Sequence, residues 1–128
     1  MSSEKSIMHL GMVAASAVPE TMCWRNNTGV AWQGARIQAG VGSKITVQPG
    51  MVILADSRPI RFGLVGSSDV LGVTSGMAWA HEYKSASGAQ REDQLKFERA
   101  FTRAGGAYRL IRSAADAEAH IREILGGK

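Results

Sequence analysis

The sequence predicts an α/β protein in which helices cover a mixed β-sheet. Three patterns support this fold class: a helical pattern near the amino terminus, a β-hairpin pattern around Ser75 and Gly76, and a helix, strand and helix after it. The chain has 128 residues, of which 45% are hydrophobic and 20% are charged. Such a chain is long enough to bury a core, so we expect residues 1–128 to form one domain.

The first helix is predicted to begin after Ser2 or Ser3, either of which can cap it, and to run to about Ala17. Pro19 follows and ends it. Apolar residues spaced three and four apart define the face that we expect to be buried, namely Ile7, Leu10, Val13 and Ala14.

The middle of the chain combines short apolar segments with turn residues. Strands are predicted at residues 22–26 and 30–32, joined by a turn at Asn27-Thr28-Gly29. Residues 33–49 are rich in Gly and polar side chains, which indicates a loop or an irregular hairpin. A turn at Arg58-Pro59 precedes an apolar run at residues 60–64.

A second helix is predicted over residues 89–104, and Gly105-Gly106 ends it. A strand is expected at residues 107–111, and Ser113 to Asp116 has the form of a capping box for a last helix. Gln94 is the polar residue on the apolar face of the second helix. By itself, the pattern favours a boundary glutamine that caps a neighbouring backbone group.

The central hairpin is expected to bring two carboxylates and an amine together. If Ser75-Gly76 is a two-residue turn, Asp69 lies opposite Glu82, with Cβ atoms roughly 4.5 to 5.5 Å apart. Side chains alternate along a strand, so Lys84 shares the face of Glu82 while the Tyr83 side chain points away. His81 is expected on that opposite face, as a packing residue.

Two opposed carboxylates repel each other unless a cation neutralises them. Mg²⁺ suits such a pair, because it accepts one or two carboxylates and keeps several waters. A lysine beside a metal-bound water can orient that water or stabilise charge on a phosphate, which favours phosphodiester hydrolysis. The simpler interpretation of these residues alone is a surface salt bridge on a hairpin.

A series of separated motifs surrounds this hairpin. They are WRNNTG at residues 24–29, RFGLVGSSDVLG at 61–72, EYK at 82–84, Gly88, Gln94 and AGGAY at 104–108. In this order they resemble the VRR-NUC family of the PD-(D/E)xK nuclease superfamily, especially its short phage and bacterial members. The resemblance covers nearly the whole chain.

The resemblance implies a restriction-endonuclease-like core and a set of site residues. Asp69, Glu82 and the backbone carbonyl of Tyr83 would bind Mg²⁺ or Mn²⁺, and Lys84 would position or activate the attacking water. Gln94 would bind a catalytic carboxylate or a phosphate. The family also contributes an acid from its first helix, for which Glu4 is the candidate; a solvated first-turn acid is an equal alternative.

A basic charge balance is consistent with a nucleic-acid partner. The formal net charge is +4 and the sequence pI is about 9.6. Arg25, within the RNNTG segment, is expected to contact phosphate, and Arg61 either does the same or extends from its strand into solvent.

Cys23 is the one cysteine, so it has no internal disulfide partner, and no Cys/His spacing resembles a zinc site. Nothing resembles a signal peptide or a membrane span. We therefore expect a cytoplasmic protein of a bacterial cell or a phage-infected host.

These expectations together describe a metal-dependent endodeoxyribonuclease. Standalone members of the family resemble homodimeric, structure-selective nucleases, which makes a Holliday-junction resolvase the sharpest expectation. A flap, nicking or restriction-type nuclease is an alternative, as is a catalytically silent DNA-binding subunit. The expected dimer contacts are residues 33–49 and the strands that carry Trp24 and Trp32.

Overall fold

The computed structural model describes residues 3–26, 29–30, 35, 37–56, 58 and 61–127. It confirms a mixed α/β architecture, with a four-stranded sheet flanked by helices. In chain order the elements are α1 (Glu4–Ser16), β1 (Thr21–Arg25), β2 (Gly29–Val30), β3 (Arg61–Phe62), β4 (Val70–Thr74), β5 (Met77–Tyr83), α2 (Glu92–Arg103), β6 (Ala107–Ile111) and α3 (Ala114–Gly126).

Several predicted features fall on positions outside the described residues. They are most of the turn at Asn27-Thr28-Gly29, the end of the return strand at Ala31 and Trp32, and Pro59. Within the apolar run at residues 60–64, the structure describes a two-residue strand, β3, at Arg61–Phe62. Gly63 then adopts a φ of 73°, which ends the extended conformation.

The four strands lie in the order β1, β4, β5 and β6. The β4–β5 hairpin has the predicted register, with Val70 opposite His81 and Leu71 opposite Ala80. Its turn residues Ser75 and Gly76 have φ values of 47° and 86°, the left-handed conformations that a tight two-residue hairpin requires. The parallel β5–β6 pair makes the sheet mixed.

Helix α1 begins where the sequence predicts, because the Ser3 Oγ accepts the N–H of Ser6 at 3.2 Å. Its predicted buried face is partly wrong: Leu10 and Val13 are each 58% exposed, whereas Gly11 and Ala15 are buried with Ile7. The reason is the Tyr83 ring, which occupies the space that a Cβ at Gly11 would need. Small residues therefore face the sheet.

The main core lies between the sheet and the helices α1 and α3, which pack together. It contains Val18, Trp79, Tyr83, Ile111 and Ile121, each 2% exposed or less. Helix α2 lies on the opposite face, because its Gln94 contacts Glu82 while Tyr83 and His81 face the core.

Helix α2 starts at Glu92, three residues later than predicted. The Gln94 Oε1 accepts the Arg91 N–H at 2.9 Å and thereby caps the first turn. Strand β6 has the predicted bounds, and Ser113 caps α3 by accepting the N–H of Asp116 at 3.1 Å.

Candidate active site

The site begins where β4 meets the preceding loop. The Asn26 N–H donates to the Asp69 carbonyl at 2.8 Å, which extends the pairing of β1 and β4 beyond its last residues. The Asn26 amide also donates to the Ser67 Oγ at 2.6 Å and the Ser68 carbonyl at 2.9 Å. These bonds fix the loop that presents Asp69.

Asp69 points across the hairpin towards β5. Its Oδ2 accepts the backbone N–H of Tyr83 at 2.8 Å, so the carboxylate lies beside the chain segment that carries Glu82 and Lys84. The predicted convergence of these three residues is therefore present in the geometry. The Tyr83 side chain lies in the core on the other face of the sheet, so only the Tyr83 backbone can contribute to the site.

Glu82 is buried, at 3% exposure, and its two oxygens have different surroundings. Oε1 accepts the Gln94 Nε2–H at 2.6 Å and lies 3.8 Å from the Lys84 Nζ. Oε2 is buried and receives no hydrogen bond from the described residues. A buried carboxylate oxygen without a donor is costly, so this atom is suited to a cation.

Gln94 holds one fixed orientation. Because its Oε1 accepts the Arg91 N–H, its Nε2 is directed at Glu82. The Gln94 side chain therefore does two things: it caps helix α2 through the Arg91 N–H, and it donates a hydrogen bond to the Glu82 carboxylate, the contact that the resemblance implied.

The two carboxylates hold protons more tightly than free acids do. Burial, followed by the charge of Asp69, raises the pKa of Glu82 to about 7 against the opposing effect of Lys84. Burial also raises the pKa of Asp69, while the Tyr83 N–H and Lys84 lower it. A bound cation would favour both ionised forms, which is the electrostatic condition for a metal site.

Lys84 is almost fully buried, at 8% exposure. A buried ammonium needs a partner, and Glu82 supplies one. Gly88 packs against the Lys84 side chain, since a Cβ there would lie 3.5 Å from the lysine Cβ and Cδ. The amine is consequently held next to the carboxylates instead of extending into solvent.

Glu4 and Arg25 lie at the edge of the site and are both exposed. Burial has the largest effect on the pKa of Asp69. The charges of these two residues have smaller effects: Glu4 raises that pKa and Arg25 lowers it. Arg61 belongs to β3, but its side chain is outside the described residues.

Within the described part of the chain, no three His, Cys, Asp or Glu side chains converge on one point. The expected ligand set contains two carboxylates, Asp69 and Glu82, and a backbone carbonyl. That set fits Mg²⁺, which is commonly held by one or two carboxylates with waters.

The sequence did not predict two residues that lie near strand β5, His120 and Tyr108. His81 packs in the core as expected, but its Nε2 lies 2.8 Å from the Nδ1 of His120, and burial lowers the pKa of His81 to about 3 and that of His120 to about 4. The spacing of Ala117, His120 and Ile121 on one face of α3 could have indicated this.

Tyr108 is the second missed residue. Its hydroxyl accepts the Gln90 Nε2–H at 2.9 Å, and burial, followed by the charge of Glu82, raises its pKa to about 12. The phenol therefore stays neutral at the Glu82 face of the sheet. Alternation along β6 would have placed it there, since Tyr108 pairs with Ala80.

Comparison with known proteins finds no matching family and no matching curated protein. Among the described residues, no helix is both long and apolar enough to cross a membrane.

Proposed function

We propose that this chain is a divalent-metal-dependent endodeoxyribonuclease with a restriction-endonuclease-like core, similar to the VRR-NUC family. The observation that carries the proposal is the Glu82 carboxylate. It is buried beside Asp69 and Lys84, one oxygen is held by Gln94, and the other receives no hydrogen bond from the described residues.

In this proposal Asp69, Glu82 and the Tyr83 carbonyl hold Mg²⁺ or Mn²⁺. The bound ion supplies Lewis-acid chemistry, which lowers the pKa of a water and neutralises charge on a phosphate. Lys84 orients that water and stabilises the developing negative charge, because its ammonium is held 3.8 Å from Glu82. Gln94 fixes the Glu82 carboxylate, and Glu4 adds a further acid at the edge.

Arg25 is proposed to contact DNA phosphate. It is exposed, and its charge reaches Asp69, so a phosphate that it binds would lie near the carboxylates. Arg61 is proposed to play the same part from β3. The net charge of +4 favours association with a polyanion.

The proposed substrate is branched DNA, and a four-way junction is the sharpest form. Symmetric resolution needs paired cuts on two strands, which a homodimer with two sites provides. A silent DNA-binding subunit is less well supported, since such a protein has no need for a buried Glu82 opposite a second acid, an arrangement that costs stability. The proposed setting is the cytoplasm of a bacterial or phage-infected cell.

A panel of labelled substrates tests this proposal: a four-way junction, a flap, a nicked duplex and a linear duplex, each with and without Mg²⁺. We expect Mg²⁺-dependent cleavage, with the junction preferred. Cleavage of linear duplex alone would replace the resolvase by a restriction-type enzyme. Binding without cleavage of any substrate would favour the silent subunit.

A further inference from the structure

Trp24, in strand β1, has an exposed aromatic ring. Its side chain is 44% exposed, and among the described residues no other aromatic ring packs against it. Trp79 shows the contrast, because it is fully buried and its Nε1–H donates to the Thr74 Oγ1 at 2.9 Å. The fold therefore uses Trp79 for packing and leaves much of the Trp24 indole in solvent, where it is available to a ligand.

Trp24 lies on the same face of the sheet as the candidate active site. Cys23 packs against the core, so alternation along β1 directs the Trp24 side chain to the opposite face. Trp24 pairs with Leu71, and the pairing continues to Asn26 and Asp69, which places Trp24 diagonally across from Asp69. Side chains in this relation lie about 7–8 Å apart, within reach of an aromatic ring.

The sheet surface around Trp24 is apolar. Met22 is 70% exposed and Val73 is 39% exposed, and the two residues pair directly with each other. Together with Trp24 and Leu71 they form the face of β1 and β4 that leads to the site, and none of these four side chains is charged. A polyanion meets no repulsion on this face before it reaches Asp69.

We propose that Trp24 stacks on an unpaired base of the DNA strand that is cut, next to the phosphodiester held at Asp69 and Glu82. This role rests on the proposed function, because the metal site determines where the phosphodiester lies. A base inside a duplex is paired and already stacked on both sides, so only a base that has left the duplex can contact the indole. The substrate class is therefore DNA with an unpaired nucleotide beside the cut, as at an open branch point.

A nucleobase suits this surface better than a protein partner does. From the sequence, the strand that carries Trp24 is also a candidate contact between two copies. A protein seated on Trp24 would cover the adjacent Asp69 as well, and the substrate needs access to that carboxylate. A base instead presents a flat ring to the indole while its phosphate extends towards the site. Stacking of this kind tolerates any base, because every base has a π-face.

Tryptophan fluorescence in Ca²⁺ tests the stacking without requiring cleavage. In a Trp32→Phe background the emission comes from Trp24 and from the buried Trp79, so a bound base can contact only Trp24. We expect oligothymidylate to quench this emission and a GC-ended duplex of equal length to quench it little. Trp24→Phe in the same background should remove the quenched component. No quenching by oligothymidylate, equal quenching by the duplex, or quenching that persists in Trp24→Phe overturns the proposal.

Affinity for oligothymidylate in Ca²⁺ measures what the ring contributes. Trp24→Ala should weaken binding about 5- to 150-fold, the range that corresponds to stacking of one base. Trp24→Leu keeps apolar bulk without a flat ring and should weaken binding similarly, whereas Trp24→Phe should keep most of the affinity. Met22→Ala is the matched control, because Met22 is exposed on the same face of the same strand but lies farther from Asp69. Wild-type affinity in Trp24→Ala or Trp24→Leu would refute stacking.

Cleavage in Mg²⁺ separates this role from the proposed function. Two four-way junctions are compared, one fully paired and one with unpaired thymidines at the branch point. The wild type should cleave the second junction faster, and Trp24→Ala should still cleave but lose this preference. An unchanged preference in Trp24→Ala overturns the stacking and leaves the nuclease proposal standing. Quenching of Trp24 by oligothymidylate without cleavage of any substrate supports the stacking and rejects the nuclease proposal.

Discussion

At the residue scale, Glu82 combines features that a packing residue does not need. It is buried at 3% exposure, it has one oxygen held by Gln94, and its other oxygen receives no hydrogen bond from the described residues. Strand alternation and the Ser75-Gly76 turn were sufficient to predict that Asp69, Glu82 and Lys84 converge. The contact between Gln94 and Glu82 was expected only from the family resemblance. It joins helix α2 to strand β5, and strand alternation does not predict how a helix packs on a sheet.

The raised pKa of Glu82 predicts how stability depends on pH in metal-free buffer. In the folded state the pKa is about 7 rather than 4.5, so between these values the folded state keeps a proton that the unfolded chain releases. The contribution of Glu82 to the free energy of unfolding should therefore fall as pH rises through this window, by on the order of 3 kcal/mol in full. His81 and His120, whose pKa values burial lowers, contribute in the opposite direction over the same range. Chemical denaturation of the wild type and of Glu82→Gln from pH 4 to pH 8 would measure the Glu82 contribution as the difference between the two proteins.

Glu82→Gln is the control for this pH effect, because it removes the titrating group and keeps the shape of the side chain. The free energy of unfolding of the variant minus that of the wild type should increase as pH rises from about 4.5 to about 7, because the contributions of His81 and His120 are common to both proteins and only the Glu82 contribution is lost. Mg²⁺ should stabilise the wild type most at high pH, where the carboxylates are charged. Identical pH profiles for the two proteins would contradict the assigned environment of Glu82.

Gln94→Ala should lower cleavage about 10- to 100-fold, the range known for residues that orient metal ligands. The change removes the Nε2–H that holds Glu82 and leaves the Arg91 N–H without its acceptor. Leu95→Ala is the neighbouring control, since Leu95 is exposed on the same helix. Nuclease assays with protein of verified helical content would decide, and wild-type rates in Gln94→Ala would remove the glutamine from the site.

At the scale of the elements, local signals predicted most boundaries and failed where packing decides. Ser3, Ser113 and the Ser75-Gly76 turn each marked a start or a reversal that the structure contains. The buried face of α1 was wrong because hydrophobic periodicity favours Leu10 and Val13. The true contact uses Gly11, and only the position of the Tyr83 ring on a distant strand determines that.

Gly11→Ala should therefore destabilise the fold, although Ala is the better helix former by about 1 kcal/mol. The added methyl group would overlap the Tyr83 ring, and overpacking of this kind costs about 1–3 kcal/mol. Leu10→Ala, one residue earlier on the exposed side, should change stability little. Thermal denaturation would compare them, and a Gly11→Ala variant more stable than Leu10→Ala would refute the close packing of α1 on β5.

At the scale of the whole molecule, the strand order β1-β4-β5-β6 could not be derived from the sequence pattern alone. The pairing of β1 with β4 joins residues that are 45 (Arg25 and Val70) to 53 (Thr21 and Thr74) positions apart, and no local signal specifies a contact of that sequence separation. The exposed character of residues 37–56 was likewise a property of the complete fold. Composition identified the segment as irregular, whereas its isolation from the core required the structure.

Charge distribution over the whole molecule predicts salt-dependent DNA binding. In Ca²⁺, which occupies oxygen-rich sites, junction affinity should fall with salt because phosphate contacts release counterions. Arg25→Gln should reduce the magnitude of the log-log slope by about one. Arg122→Gln, on α3 and paired with Glu118, is the control that should leave the slope unchanged. Equal slopes for wild type and Arg25→Gln would return Arg25 to a structural role.

The central claim is that the half-buried Asp69 and the buried Glu82 together hold a catalytic divalent ion. The most direct measurement is cleavage of a labelled four-way junction in Mg²⁺ by the wild type and by Glu82→Gln, with junction binding by both measured in Ca²⁺. We predict cleavage by the wild type, loss of cleavage in Glu82→Gln, and binding by both proteins. Cleavage by Glu82→Gln at the wild-type rate, or a folded wild type that binds the junction but cleaves nothing in Mg²⁺ or Mn²⁺, would contradict it.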